Sequence, residues 1–500
     1  ANRPLARFDH DWEIECGLCT ELPTLENGLA EMIVLEDGTE GMRVHWELRE
    51  GLRWGDGEPV TTEDFQLAWE IGRHPEVGAG ASEAWRTTRA VELVDDRRMT
   101  LTLDRRVAGY NQAWIFHPIP EHLERTIFDA DPREYRNRTL YQTDPGNPGL
   151  WMGPYRVIET ERGARVTLAR NEHWSGKPPA FDEVTVRTIE RTSTLEANLL
   201  SGTIDMIAGE LGLELDQALA FRRRHGDRYQ VLLHPGLFYE HLDVFLDHPA
   251  LSDVRVRRAL LHAVDRQGMV DDLFDGELIV AHGFVHPLDA PYAEEGVPHY
   301  AHDPARAAEL LDEAGWALGE DGLRRNAAGE PLQFPLMSTA GNKTRELVQQ
   351  VLQSEWRAVG IDVRIENENP RVFFGQTLDR RAFGGLALFG WVSAPEPTPR
   401  TILHSGEIPS EENAWSGQNY TGFADPEVDA LITRLEEELV FEARLEPWRR
   451  LQQIYAEQLP VLPLFFVTDS YILPSWLEGV RPTGHIIPST AWIEDWTRAR

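Results

Sequence analysis

Apolar and polar residues alternate in the first clear pattern along the chain. Every second residue of Arg43–Leu48 is apolar, which is the period of a half-buried strand. The glycines and the proline of Gly51–Pro59 then predict a turn, because glycine tolerates unusual backbone angles and proline cannot donate to a ladder. Thr61 can cap the helix that follows, with Asp64 reaching back as a capping box. The pattern therefore predicts a strand, a tight turn and an amphipathic helix.

Further along the chain, helical periods pass through a glycine into strand-like runs. Thr192–Leu200 predicts a short helix ended by Gly202, and Thr203–Ile207 predicts a strand after it. Thr344–Val359 predicts a longer helix, which also stops at a glycine and is followed by a strand-like run at 361–365. Helices that alternate with strands in this way indicate an α/β protein.

Length and composition indicate a large globular protein. Its 500 residues suggest about three units of roughly 150 residues each. A composition of 41% apolar and 26% charged residues is typical of a folded chain. No run of about 18 apolar residues occurs, so no membrane-spanning segment is expected. No secretory signal opens the sequence, which fits a mature exported chain and a cytoplasmic chain equally well.

The net charge limits the classes of partner. Lysine and arginine number 49 against 83 aspartates and glutamates, which gives a formal charge of −34. Because such a surface repels phosphate groups, nucleic acid and anionic membranes are not expected as partners. A generally soluble surface is the simplest account of the acidic excess.

Two cysteines, Cys16 and Cys19, leave several interpretations open. Their spacing fits a short disulfide, a pair of inert thiols, a redox pair or half of a zinc site. A zinc site would need two further ligands, and no second motif of this kind supplies them. A local disulfide is favoured, inert thiols come next, and a catalytic pair comes last.

Enzyme signatures are missing from the sequence. It contains no HExxH, no GxSxG elbow, no Walker loop and no GxGxxG. His282 and His286 are poor candidates for a helical zinc pair, because Gly283 and Pro287 interrupt the segment. We therefore expect no enzyme activity, no cofactor and no metal site.

Several motifs together resemble one protein family. Trp54–Asp64 reads WGDGEPVTTED and resembles the signature turn of the family 5 (peptide/nickel-type) solute-binding proteins of bacterial ABC importers. Gly153–Val157, Trp174–Pro178 and Phe181–Val184 resemble a later passage of the same family, in the family's order. The resemblance covers about residues 25–500.

This resemblance implies an α/β, two-lobed periplasmic-binding-protein fold of class II, large cluster C type, with an extra subdomain in the first lobe. The first lobe is expected at 1–248, with the extra subdomain at 23–150 and a core part at 151–248. The second lobe is expected at 249–465, and residues 466–500 are expected to return to the first lobe.

The resemblance also implies a function. The protein would capture a peptide or peptide-like small solute in an interlobe cleft that closes by a hinge near Phe245–Asp253 and Val461–Ser470. It would deliver this ligand to the membrane permease of an ABC transporter, working as a monomer in the periplasm or at the cell surface. Alternatives are a receptor for an oligosaccharide or other non-peptide solute, a metal-chelate (nickel) receptor, and a secreted hydrolase. Convergence of His241, His404 and His485 in the cleft would favour the nickel alternative.

Aromatic side chains between the lobes are the expected ligand contacts, because flat rings bind apolar and sugar groups over a large area. Trp391 stands in a Gly-Trp motif that lines the cleft in this family. Peptide-binding relatives carry an aspartate three residues later, which pairs with the amino group of the peptide. Ala394 takes that position here, with Glu396 nearby, which argues against a generic dipeptide or oligopeptide receptor although peptide remains the favoured class. The predicted ligand-binding residues are Trp85, Trp114, Phe238, Trp391, Glu396, Trp415 and Asn419.

Overall fold

The computed structural model describes residues 2–77, 83–114, 116–189, 191–209, 212–289, 296–392, 398–413 and 415–499. Within these ranges, helices alternate with antiparallel and mixed sheets, as the α/β prediction requires. The helices described there include none with the length and apolar character needed to cross a bilayer.

The first part of the chain builds antiparallel strands and helices. Its strands are β1 (Ala6–Phe8), β2 (Ile14–Cys16), β3 (Ala30–Val34), β4 (Glu40–Glu47), β5 (Thr88–Leu93) and β6 (Arg98–Leu103). Its helices are α1 (Thr62–Arg73), α2 (Glu83–Thr87), α3 (Glu121–Ala130), α4 (Tyr135–Arg138) and α5 (Leu140–Thr143). One sheet has the order β3-β4-β6-β5, and a disulfide joins Cys16 at the end of β2 to Cys19.

The predicted strand, turn and helix are confirmed in this part. The backbone N–H of Thr61 donates to the Asp64 carboxylate at 2.8 Å, which is the reaching-back arm of the capping box. Trp54 and Phe65 are fully buried in the core beneath the four-stranded sheet. The turn therefore fixes α1 against this sheet.

A three-stranded antiparallel sheet and two helices come next. They are β7 (Tyr155–Glu161), β8 (Arg165–Arg170), β9 (Glu183–Arg187), α6 (Thr192–Leu200) and α7 (Leu215–His225). The strand predicted at Thr203–Ile207 is wrong, because only Ile207 pairs, in an isolated bridge to Ile472. Gly202 has a φ of +75°, which turns the chain out of an extended path.

The remaining strands include those of a six-stranded sheet. They are β10 (Tyr229–Val244), β11 (Ile279–Val280), β12 (Ala317–Leu318), β13 (Arg324–Arg325), β14 (Gln333–Met337), β15 (Asp362–Ile365), β16 (Leu386–Val392), β17 (Val461–Pro474), β18 (Leu477–Glu478) and β19 (Thr497–Arg498). The six-stranded sheet has the order β11-β17-β10-β16-β14-β15.

The helices of this second half pack on both faces of that sheet. They are α8 (Val254–His262), α9 (Arg266–Phe274), α10 (Pro304–Glu313), α11 (Lys343–Ala358), α12 (Pro370–Val372), α13 (Arg400–Leu403), α14 (Pro426–Glu437) and α15 (Phe441–Gln458). A core on one face unites α8 to α11 with the sheet, and a separate core on the other face unites α14 and α15 with it.

Two long paired strands are the expected connection between the lobes of this two-lobed fold. The antiparallel pair β10 and β17 runs from Tyr229 opposite Pro474 to Asp243 opposite Val461. Its register is interrupted between Pro235 and Tyr239. This interruption lies within β10, ahead of the crossing expected at Phe245–Asp253.

Candidate functional site: the front face of the central sheet

The paired strands β10 and β16 present two faces, because side chains alternate along a strand. The front face is the one that carries Tyr239, His241, Phe389 and Trp391, with Tyr239 opposite Trp391 and His241 opposite Phe389. Phe238 is opposite Val392 and Gly390 is opposite Glu240, and these residues belong to the other, back face. Trp391 and Phe238, both predicted ligand contacts, are therefore separated by the sheet.

Trp391 lies half-buried at the end of β16 among aromatic rings. Its ring is nearly parallel to those of His241 and Tyr420, with centroid distances of 6.4 and 6.1 Å and interplanar angles of 10° and 18°. Phe389 meets it edge-on at 5.3 Å. The next residue, Val392, is 60% exposed, so β16 leaves the core at this point.

A buried histidine–aspartate pair lies beside Trp391. His241 is 0% and Asp243 is 3% exposed. The Nε2 atom of His241 lies 3.2 Å from the Asp243 carboxylate, and its Nδ1 atom lies 3.1 Å from the carbonyl oxygen of Tyr239. Burial raises the pKa of Asp243, and the adjacent His241 opposes that rise. The front face thus holds a buried histidine and a buried aspartate behind its half-buried tryptophan.

The glycine of the Gly-Trp motif is required by packing on the back face. A Cβ atom added at Gly390 would lie 2.1 Å from the Phe238 ring. Any larger residue at this position would displace Phe238 or the strand. Gly390 therefore keeps β16 close to β10 and fixes where Trp391 emerges.

Segments that are expected to lie in different lobes contact each other directly. The backbone N–H of Ala108 donates to the carbonyl oxygen of Glu436 at 2.7 Å. Leu439, in the loop between α14 and α15, packs against the first-lobe core that contains Trp46 and Trp54. The Glu436 carboxylate is held within its own lobe by Arg400, with Nε to Oε1 at 2.7 Å. These contacts join segments that the sequence predicts to lie in different lobes.

The tip of the N-terminal hairpin makes a second contact between the lobes. Trp12 has a φ of +67° and donates its indole N–H to the carbonyl oxygen of Thr483 at 2.8 Å. Its ring lies 6.4 Å from that of His286 and 5.9 Å from that of His485. His286 follows β11, in the segment expected to form the second lobe, so Trp12 contacts residues of both expected lobes.

Two cavities lie away from Trp391. The first, of about 110 Å³, is on the back face, where Phe238 lines it beside the Arg345–Glu240 ion pair. The second is an open groove of about 470 Å³ between Arg106 and residues of α14. Trp391 lines neither of them.

The other predicted aromatic residues are dispersed. Trp85 packs against Phe116 at 4.7 Å in the first-lobe core, and half-buried Trp114 lies in the turn after Gln112. The Arg380 guanidinium covers the Trp415 ring at 5.4 Å. Their contacts with a ligand stay predictions.

Asn419 has a structural position that the sequence did not indicate. It is 0% exposed, and its side-chain amide donates to the carbonyl oxygens of His404 at 3.1 Å and Phe423 at 2.8 Å. These bonds hold the loop that presents Tyr420. A ligand contact by Asn419 stays a prediction, as does one by Glu396, which, like Ala394, lies outside the described residues.

The histidines that would have favoured a nickel receptor do not converge. His241 is locked in the front face, His404 caps a short helical turn at 405–407, and His485 contacts Trp12. Across the described part of the chain, no group of three or more histidine, cysteine, aspartate or glutamate residues is arranged to hold a metal ion.

Sequence reasoning missed the partners of Trp391. Tyr239 and His241 alternate along β10, so their shared face was readable, but their pairing with β16 was not. Tyr420 comes from a distant loop and carries no local signal. Trp12 lies in the N-terminal region that no motif covered.

The comparisons with known proteins agree with this architecture. The sequence profile of the bacterial extracellular solute-binding proteins, family 5 Middle, matches residues 24–407. Oligopeptide-binding protein OppA of Bacillus subtilis is 22% identical over 488 residues, which cover 94% of this chain and 83% of OppA. The nickel-binding periplasmic protein of Escherichia coli is 28% identical over 287 residues, 57% of this chain and 53% of that protein.

A solved structure shares the fold over nearly the whole chain. The oligopeptide binding protein from Thermus thermophilus, crystallised with a pentapeptide, superposes with a TM-score of 0.79 at 27% identity. The match covers 98% of this chain and 89% of that one. The chain belongs to the bacterial extracellular solute-binding proteins of family 5.

Proposed function

We propose that this protein captures a peptide in the cleft between its lobes and delivers it to the membrane permease of an ABC transporter. The observation that carries the proposal is the position of Trp391, half-exposed at the end of β16 in a family 5 chain. Trp391 belongs to the Gly-Trp motif that is expected to line the cleft between the lobes. The protein performs this role outside the cytoplasmic membrane, as a monomer, and without chemistry.

In such a role, closure brings both lobes into contact with the ligand. Rotation about β10 and β17 brings the lobes together, and the register interruption between Pro235 and Tyr239 is where these strands bend most readily. A ligand held by both lobes favours the closed arrangement by its differential affinity for it. The permease then distinguishes loaded from empty protein by shape.

Peptide is the favoured ligand class because relatives of similar length are named for oligopeptides. OppA of B. subtilis covers nearly the whole chain, and the T. thermophilus protein carried a pentapeptide in its crystal. The alanine at position 394 means that the peptide's amino group needs another partner than the family's aspartate. Binding then depends more on contacts along the peptide than on its terminal charge.

A metal chelate is the second candidate, and the E. coli nickel-binding relative favours it. Such a ligand would bring its own chelating groups, so the receptor itself would not need a ligand cluster. The protein would then respond to a nickel–histidine complex and not to peptides.

Thermal stability of the ligand-free protein tests the proposal. A pool of tri- to pentapeptides is expected to raise the unfolding temperature, because a ligand at a hundredfold of its Kd stabilises by about 2.7 kcal/mol. Trp391→Ala should weaken this response, whereas Trp476→Ala, which removes a half-buried indole near Phe181 and Arg498, should keep it. A response to the nickel–histidine complex alone would establish the second candidate and exclude the first.

A further inference from the structure

Trp391 stands in a row of parallel rings formed by Tyr239, His241, Trp391 and Tyr420. His241 lies 5.1 Å from Tyr239 at 15° and 6.4 Å from Trp391 at 10°. Tyr420 continues the row at 6.1 Å and 18°. We infer that His241 positions Trp391 so that its edge and indole N–H, not its ring face, meet the ligand.

The flanking rings approach Trp391 from different sides of its strand. His241 comes from β10, which pairs with β16 on one side. Tyr420 packs in a cluster with Met337 of β14, the strand on the other side of β16. Near-parallel rings therefore flank the indole on two sides, which limits the room for a ligand to stack on it.

The ring of His241 is held by one hydrogen bond and by the rings around it. A carbonyl oxygen can only accept, so Nδ1, 3.1 Å from the Tyr239 oxygen, carries a proton. Nε2 lies 3.2 Å from the Asp243 carboxylate but makes no hydrogen bond. The imidazole is 0% exposed and is enclosed by the rings of Tyr239, Phe389 and Trp391. This enclosure and the Nδ1 bond hold its ring beside Trp391.

Tyr420 is also held in place by hydrogen bonds. Its hydroxyl donates to Asp379 at 3.2 Å, and its carbonyl oxygen accepts from Arg381 Nε at 3.0 Å. Buried Asn419 holds the loop immediately before it. The Tyr420 ring is thus anchored independently of the His241 ring.

The chemistry left to Trp391 is donation of a hydrogen bond. Its indole nitrogen has no acceptor among the described residues. With its faces flanked and Phe389 against one edge, the free perimeter and its N–H are what a ligand meets. The matching ligand group is an acceptor, such as a peptide carbonyl or carboxylate oxygen. This inference rests on the proposed function, because it assumes that ligand enters beside Trp391.

Replacing the indole nitrogen separates edge from face. Tetra-alanine is the probe, and Trp391 is replaced by Phe, by Leu or by benzothienylalanine, which keeps the ring shape and lacks the N–H. Donation through the edge predicts that benzothienylalanine and Phe both lose about threefold to tenfold in affinity, close to the loss with Leu. Full affinity with benzothienylalanine would overturn the inference that the N–H meets the ligand.

Fluorine NMR tests the positioning role without any ligand. The 16 tryptophans are labelled as 5-fluorotryptophan, and the Trp391 resonance is assigned from Trp391→Phe. His241→Gln should shift and broaden this resonance, because one of the two rings that flank Trp391 is lost. The double variant His241→Phe/Asp243→Leu keeps a ring and removes the charges, and it should restore one sharp resonance.

Two further variants keep this test decisive. His248→Gln makes the same change at a histidine that packs on Phe334, and it should leave the Trp391 resonance unmoved. Tyr420→Leu removes the other flanking ring. It takes the place of His241→Gln if the His241→Gln protein does not fold. An unchanged resonance in His241→Gln, or in Tyr420→Leu used in its place, would overturn the positioning role. If no peptide binds, the proposed function fails, and the fluorine resonance still decides the positioning role.

Discussion

At the scale of single residues, buried His286, which lies beside Trp12, makes the stability of the fold depend on pH. It is 1% exposed, its Nδ1 accepts the Leu288 N–H at 2.8 Å, and its Phe466 neighbour lies 4.5 Å away. Burial, with a smaller contribution from His234, lowers its pKa from 6.5 to about 4. The imidazole is therefore neutral in the folded protein and protonates more readily when unfolded.

Acidification is expected to destabilise the fold through this residue. Because the folded pKa is depressed, the stabilisation is complete above about pH 6.5 and is lost as pH falls towards 4, by up to about 3 kcal/mol. His286→Asn keeps an acceptor for the Leu288 N–H but cannot titrate, so its unfolding free energy should fall less steeply over this window. Chemical denaturation at a series of pH values measures the slope.

An exposed histidine provides the control for that slope. His173→Asn makes the same change at an exposed histidine, and its unfolding free energy should follow the wild-type pH profile. A His286→Asn profile as steep as that of the wild type would contradict the role assigned to burial.

Residue-level prediction from sequence succeeded where the signal was local. The capping pair Thr61 and Asp64, four residues from end to end, was readable and is present. The CGLC spacing favoured a disulfide, and the two cysteines are bridged. The rings that flank Trp391 could not be predicted from the sequence, because His241 reaches it through strand pairing and Tyr420 comes from a distant loop.

At the scale of elements, the loop between α14 and α15 links the second lobe to the first. Leu439 packs against the first-lobe core, whereas the next residue, Val440, is 56% exposed. The two positions are adjacent apolar residues with opposite environments. They offer a matched pair for measuring what the interlobe contact contributes.

Leu439→Ser should weaken closure and ligand binding together. Loss of about 1 kcal/mol of apolar contact, present only when the lobes touch, corresponds to roughly fivefold in peptide affinity. Isothermal titration calorimetry with the tightest peptide of the pool measures it. Val440→Ser should bind as the wild type does, and an equal loss in both variants would show that the interlobe contact is not the cause.

Element prediction failed where a neighbour outweighed the local pattern. Thr203–Ile207 has the apolar content of a strand, but the turn at Gly202 and a single partner, Ile472, leave only one bridge. β10 and β17 are the reverse case, since they continue as single strands of 16 and 14 residues. Composition along the chain gives no sign of where such a strand crosses between lobes.

At the scale of the whole molecule, the two lobes are joined by paired strands and touch at separate places. Ala108 meets Glu436 at one edge of the cleft, and Trp12 meets His286 where the N-terminal hairpin lies. Arg222 and Arg223 of α7 also pair with Glu277 and Asp275, at 2.9 and 2.6 Å. A ligand bound by both lobes can favour the closed arrangement over the open one.

Small-angle X-ray scattering of the ligand-free protein, before and after addition of the tri- to pentapeptide pool, tests this account most directly. We predict that the radius of gyration decreases when peptide is added, as open molecules close. The decrease should be smaller in Leu439→Ser than in Val440→Ser at equal peptide concentration. A radius of gyration that peptide leaves unchanged, in protein shown to be ligand-free and open, would contradict capture by closure of the two lobes.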